Sequence, residues 1–167
     1  MFGFPKRNEM ARTPPHLQLA NQLCFALYSA THAYVSAYKP LLDELGLTYP
    51  QYLVMLVLWE EDRQTVKALG EHLFLDSGTL TPLLKRLETA GLVLRSRDPA
   101  DERLVRVSLT KAATALRERA KNVPMTMVCA TGLSIPEIVQ LRDELIALRK
   151  TLHAATKKTA RGRASAA

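Results

Sequence analysis

Between residues 66 and 109 the hydrophobic period of the chain changes once, and that change restricts the folds open to it. In VKALGEHLF the apolar Val66, Leu69 and Leu73 fall on one side of a helix that Thr65 can cap. After a break at Leu75-Asp76 comes SGTLTPLLKRLETAGL, whose Leu80, Leu83, Leu84 and Leu87 share a second helical face. Gly91 suits that helix's C-terminal cap, and Pro82, lacking an amide donor, is expected to delay or bend its start. The spacing then becomes alternating. Residues 93–97 and 104–109 read as strands joined by the turn DPADER. Two short helices with a tight turn, followed by a basic hairpin, make a winged helix-turn-helix.

The flanks predict long helices. Over residues 17–38, Ala20, Cys24, Leu27, Thr31, Tyr34 and Tyr38 step alternately by four and three, and Lys39-Pro40 should end the helix. Thr48-Tyr49-Pro50-Gln51 has capping-box spacing, and YLVMLVLW after it is apolar on every side, as in a centrally buried helix. Thr110 opens a helix to about residue 130 that Pro124 must kink or end. Ser134-Ile135-Pro136-Glu137 is a second capping box, leading into Ile138, Leu141, Leu145, Leu148 and Leu152. The expected fold is therefore mainly α with a small β-hairpin. A winged helix-turn-helix over about 48–109 lies between dimerisation helices at about 16–38 and 110–156. A single domain over 15–156 would be flanked by a disordered arm (1–14) and a disordered basic tail (157–167). The seams of the outer helices have nothing else to bury against in a chain of this size, and a homodimer is the simplest cover.

Composition narrows the partners. A net charge of +7 over 167 residues favours a polyanion, most commonly nucleic acid. The two cysteines lack CxxC partners and histidines at ligand spacing, so neither a disulfide scaffold nor a zinc site is expected, and no metal or cofactor. The start has no apolar h-region, and the run from Tyr52 to Trp59 is too short to span a bilayer. A cytoplasmic protein with no membrane partner is expected. GxGxxG, P-loop and hydrolase motifs are absent, which argues against an enzyme.

Ser77, Thr79, Thr81, Lys85 and Arg86 form the polar face of the second short helix, where hydroxyls and orphan amides can meet base edges or phosphates. Alone, that face could equally be a solvated surface with ordinary caps. Arg95, Arg97, Arg103 and Arg106 on and beside the hairpin add a loop suited to the minor groove. Cys24, inside NQLCFALY, stays ambiguous on local grounds: free cysteines often simply pack, and no Lys, Arg or His lies within a helical turn to favour the reactive thiolate. Tyr28, one turn along, offers a phenolic donor.

LDSGTLTPLLKRLETAGLVLRSRDPADERLVRVSLT resembles the DNA-binding lobe of the MarR family of winged-helix repressors. NQLCFALY together with AYKPLLDELGLTYPQYLVMLVLWE narrows the resemblance to the organic hydroperoxide resistance regulators, and it runs from about Leu17 through the last helix. It implies a homodimeric repressor on double-stranded operator DNA whose inducer is an organic hydroperoxide. Cys24 would be the peroxide-reactive thiol, tuned by Tyr28, Tyr38 and Tyr49, the last two supplied by the other subunit. Cys129 would resolve oxidised Cys24 as an intersubunit disulfide, as in the two-cysteine type. Asp76 would pair with Arg103 and aim it at the DNA. Two other readings stay open: a MarR-type repressor released by a small aromatic ligand with structural cysteines, and a thiol peroxidase.

Overall fold

The computed structural model describes residues 14–164, with side chains to residue 156. The expected arm lies outside the described residues except Pro14, as do residues 165–167 of the expected tail. Two compact units divide near residue 114.

In the first unit, two short 3-10 turns, Pro15–Leu17 and Leu19–Asn21, precede helix α1, Leu23–Asp43. The helix does not stop at Lys39-Pro40 as expected but passes through Pro40. Pro40 cannot donate to the Ser36 carbonyl, yet both residues are exposed, so that carbonyl stays open to water. Two residues on, Leu42 is 1% exposed, and its burial offsets much of the proline's cost.

Helix α2, Tyr49–Glu60, starts at the expected capping box, where the Thr48 N–H donates to Gln51 Oε1 at 2.8 Å. It buries Tyr52, Val54, Met55, Leu58 and Trp59, while Leu56 reaches the surface. The Trp59 indole N–H donates to the Ala113 carbonyl at 3.0 Å. Strand β1, Gln64–Thr65, leads into helix α3, Val66–Leu73, capped by the Thr65 hydroxyl, which accepts from the Ala68 N–H at 3.1 Å. Helix α4, Ser77–Thr89, begins directly after Asp76 and continues through Pro82. The expected delay does not occur, because Pro82 and the Gly78 carbonyl four residues earlier both lie on the exposed side.

Leu80, Leu84 and Leu87 are fully buried beneath α4, which packs on α2 and α3. At its end the Gly91 N–H donates to the Glu88 carbonyl and the Leu92 N–H to the Leu87 carbonyl. That closure needs the left-handed backbone of Gly91, φ 70°. Strands β2, Val93–Arg97, and β3, Val105–Leu109, pair antiparallel with Arg95 opposite Val107. β1 adds a third strand on the far side of β3 with Gln64 opposite Val107. The hairpin was expected, but β1 is too short for alternation to reveal.

Helix α5, Lys111–Ala120, runs from the first unit into the second. Pro124 ends the longer helix expected there: α5 stops at Ala120, and α6, Val123–Thr131, restarts with the proline in its first turn. Helix α7, Ile135–Ala164, opens at Ser134, whose N–H and hydroxyl both donate to Glu137 Oε2, at 2.8 and 2.6 Å. It carries helical backbone into the segment expected to be a loose tail. No helix among the described residues is long and apolar enough to cross a membrane.

Candidate nucleic-acid interface and sulfur site

The inner face of α4 is leucine, so Ser77, Thr79, Thr81, Lys85 and Arg86 are left on its exposed side. Asp76 caps the helix, accepting from the Thr79 N–H at 2.9 Å and from the Thr79 hydroxyl at 3.1 Å. The Thr81 hydroxyl donates to the Ser77 carbonyl at 2.7 Å, leaving its lone pairs free to accept. No ion pair joins Asp76 to Arg103, the pairing implied by the resemblance: Asp76 is engaged with Thr79, and Arg103 lies exposed at the hairpin tip.

The hairpin arginines divide in two. Arg95 is drawn to α4, with Nε 2.8 Å from Glu88 Oε2, and so ties β2 to the helix rather than facing outward. Arg106 pairs with Asp98 and donates to the Arg63 carbonyl at 2.9 Å. Asp98 is 4% exposed and also accepts from the Ala100 N–H at 2.8 Å, so it organises the turn from within. Arg97 reaches only the Glu102 carbonyl, at 3.4 Å. Arg103 stands at the tip, exposed, its own N–H received by Asp101 at 3.0 Å. Glu88 and Asp98 were not singled out from the sequence; an aspartate opening a turn before proline was the available signal for the second.

Both structural carboxylates are held below their ordinary value of 3.8. The Thr79 N–H and then its hydroxyl do this for Asp76, and the Ala100 N–H and then Arg106 for Asp98. A lowered folded-state value means that the ionised form is favoured by folding. The stabilisation is complete above 3.8 and disappears as pH falls below it. Melting temperature should therefore decline as pH drops past that value. The decline should be shallower in Asp98→Asn, which keeps the turn but not the charge. Identical acid profiles would remove Asp98 from the account.

Cys24 on α1 and Cys129 on α6 are both free and exposed. Tyr28 lies one turn beyond Cys24, 62% exposed and packed on His32 at 4.3 Å between ring centroids. Tyr38 is on the same uninterrupted helix, roughly 21 Å from Cys24 at the usual rise, and cannot approach it within one chain. Instead it joins an aromatic cluster, 5.1 Å from Tyr34 and Tyr49 and 5.8 Å from Tyr52. Burial, then a hydrogen bond with Tyr34, pushes the Tyr38 phenol up, and burial does the same for Tyr49. Both therefore stay protonated donors at neutral pH. Among the described residues no group of three or more potential ligands could hold a metal ion.

A family model described as transcriptional regulator SarA/Rot matches residues 36–120. The organic hydroperoxide resistance transcriptional regulator of Bacillus subtilis is 49% identical over 138 residues, 83% of this chain and 94% of that one. Reduced AbfR bound to DNA, a protein of Staphylococcus epidermidis, is 39% identical with a TM-score of 0.68, covering 82% of this chain and 95% of that one. Disulfide-formed AbfR is 37% identical with a TM-score of 0.56, covering 85% and 94%. The chain belongs to the MarR family of winged-helix, DNA-binding transcriptional regulators, which are not enzymes. Within that family it falls among the organic hydroperoxide resistance regulators.

Proposed function

We propose that the protein is a homodimeric repressor that leaves its operator when an organic hydroperoxide oxidises Cys24. Each half-site receives the N-terminal half of α4 in its major groove, where Ser77, Thr79 and Thr81 meet base edges. Lys85 and Arg86 meet phosphates, and Arg103 enters the adjoining minor groove.

The observation that carries the dimer is the apolar surface left open on a single chain. On and before α1, Leu17, Leu19, Leu23 and Tyr28 are each about three-fifths exposed, and on α7 so are Ile135 and Leu152. Surfaces of this kind are normally covered by a partner. A second copy would also bring Tyr38 and Tyr49 to a Cys24 that their own chain keeps out of reach.

The chemistry takes two balanced steps. The Cys24 thiolate attacks the distal oxygen of the hydroperoxide, breaking the O–O bond. It becomes sulfenic acid, and the other oxygen leaves as the alcohol once protonated. The partner's cysteine at position 129 then condenses with that sulfenic acid, forming the disulfide and releasing water. The hydroxyls of Tyr28, Tyr38 and Tyr49 donate hydrogen bonds to the attacking sulfur without adding a charge. Disulfide-formed AbfR supports the use of such a bond in a relative.

One equivalent of cumene hydroperoxide added to the DNA-bound protein tests the proposal. A covalent dimer on a non-reducing gel should appear in step with release of the duplex. Release by a phenolic ligand with both sulfurs unmodified by mass would overturn it in favour of ligand-gated repression.

A further inference from the structure

Four tyrosines cluster where α1 meets α2, and the sensor chemistry above uses only Tyr38 and Tyr49. Of the other two, Tyr52 is 1% exposed and packs on Trp59, so its place in the core accounts for it. Tyr34 differs. It is 42% exposed, and burial explains little of its choice. It lies one turn before Tyr38 on α1, its ring edge-on to the Tyr38 ring at 5.1 Å between centroids. A phenylalanine would make the same ring contact. Only the hydroxyl needs a tyrosine, and that hydroxyl is hydrogen-bonded to Tyr38. Tyr38 is 8% exposed, and besides burial the groups acting on its hydroxyl are all phenols, Tyr34 first and then Tyr52 and Tyr49. Tyr34 raises the Tyr49 and Tyr52 phenols as well. The most exposed hydroxyl of the cluster therefore influences the other three.

A phenol has one O–H to give and an oxygen that can accept. If Tyr38 gives its proton to Tyr34, none is left for a sulfur. If Tyr34 gives its proton to Tyr38, the Tyr38 O–H can turn elsewhere, and hydrogen bonds in a chain strengthen one another by roughly 10–30% each. A thiolate arriving beside Tyr38 favours the second arrangement, because a bond to a charged acceptor outweighs one between neutral phenols. We infer that Tyr34 is a positioning residue of the sensor: by donating to the Tyr38 oxygen, it aims the single O–H of Tyr38 at the partner's Cys24. This rests on the sensor function proposed above and adds to it a residue that does not itself meet the sulfur.

The test uses the reduced full-length protein as the parent, Tyr34→Phe, Tyr38→Phe and the double variant. Each is followed for its rate of Cys24 oxidation by cumene hydroperoxide and for the pH at which that thiol titrates. Phenylalanine at position 34 keeps the ring contact, so melting temperature and affinity for a selected duplex should match the parent. Tyr34→Phe should oxidise about threefold more slowly at neutral pH, somewhat less than the loss of one whole neutral hydrogen bond, and its thiol should titrate about half a unit higher. Tyr38→Phe removes the donor itself and should slow oxidation about tenfold. In that background the second substitution should change nothing, since Tyr34 acts only through Tyr38. A Tyr34→Phe protein with the parent's rate and titration would overturn the inference, as would multiplied losses in the double variant. Faster oxidation would overturn it too, by making Tyr34 a competitor for the Tyr38 proton. A parent whose Cys24 did not react at all would sink the sensor function and this inference together, whereas the other adverse outcomes leave the sensor standing.

Discussion

Leu84→Ala is expected to lower the melting temperature by on the order of 10 °C, while Lys85→Ala beside it leaves the melting curve unchanged. Leu84 is wholly buried on the face of α4 that packs on α2 and α3, whereas Lys85 lies on the exposed face. Removing a core leucine costs about 2–5 kcal/mol, from the lost transfer energy and from the cavity that neighbours fill only in part. Domains of this kind have about 5–15 kcal/mol in total, so the loss is a large share of the stability. Lys85→Ala should act on DNA instead, lowering the slope of log affinity against log salt by about one unit if the ammonium meets a phosphate. Thermal melts at matched protein concentration, with titrations at several salt concentrations, separate the two. Equal melting losses would mean that the two faces of α4 have been assigned wrongly.

Most of that helix could be read from the chain, because its face, caps and ends depend on residues a few positions apart. Leu80, Leu84, Leu87 and Gly91 act through local geometry and stand where spacing put them, whereas Asp76, read only as part of the break before the helix, turns out to be its cap. Local penalties misled where tertiary packing outweighed them. Pro40 read as a break and Pro82 as a delay or bend in the start of its helix, yet both helices continue, since each proline lies on a wet face and a buried leucine follows it. The hairpin arginines were harder still. By composition they form one basic cluster, but Arg95 and Arg106 are committed to Glu88 and Asp98 by the approach of β2 to α4 and the curl of the turn. No sequence spacing encodes that approach, and β1 is likewise visible only as the partner of β3. For the sulfur site, one helix carrying both Cys24 and Tyr38 makes the separation within a chain plain.

Cys24→Ser should bind the operator as the parent does and ignore organic hydroperoxide altogether, because a serine hydroxyl is far too weak a nucleophile to open the O–O bond. Cys24 is exposed and lies outside α3, α4 and the hairpin, so its loss leaves the DNA-reading face intact. Cys129→Ser should diverge later. Its Cys24 still reacts, but the sulfenic acid finds no thiol to condense with and proceeds to sulfinic and sulfonic acid, or is capped by an added small thiol. The parent alone should form a covalent dimer. A disulfide needs the two Cα atoms within about 7 Å, so if the reduced thiols start farther apart, helices of two subunits must move to meet. The winged lobes would move with them. Paired reading helices fit half-sites one DNA turn apart, about 34–36 Å, and a shift of a few ångströms in each lobe spoils one of the two contacts. Non-reducing gels, intact mass and operator affinity, measured on all three proteins before and after one equivalent of cumene hydroperoxide, follow each stage. A covalent dimer that held its operator as tightly as the reduced protein would sink the release mechanism. A Cys24→Ser protein that still let go of DNA on oxidation would move the sensor to another residue.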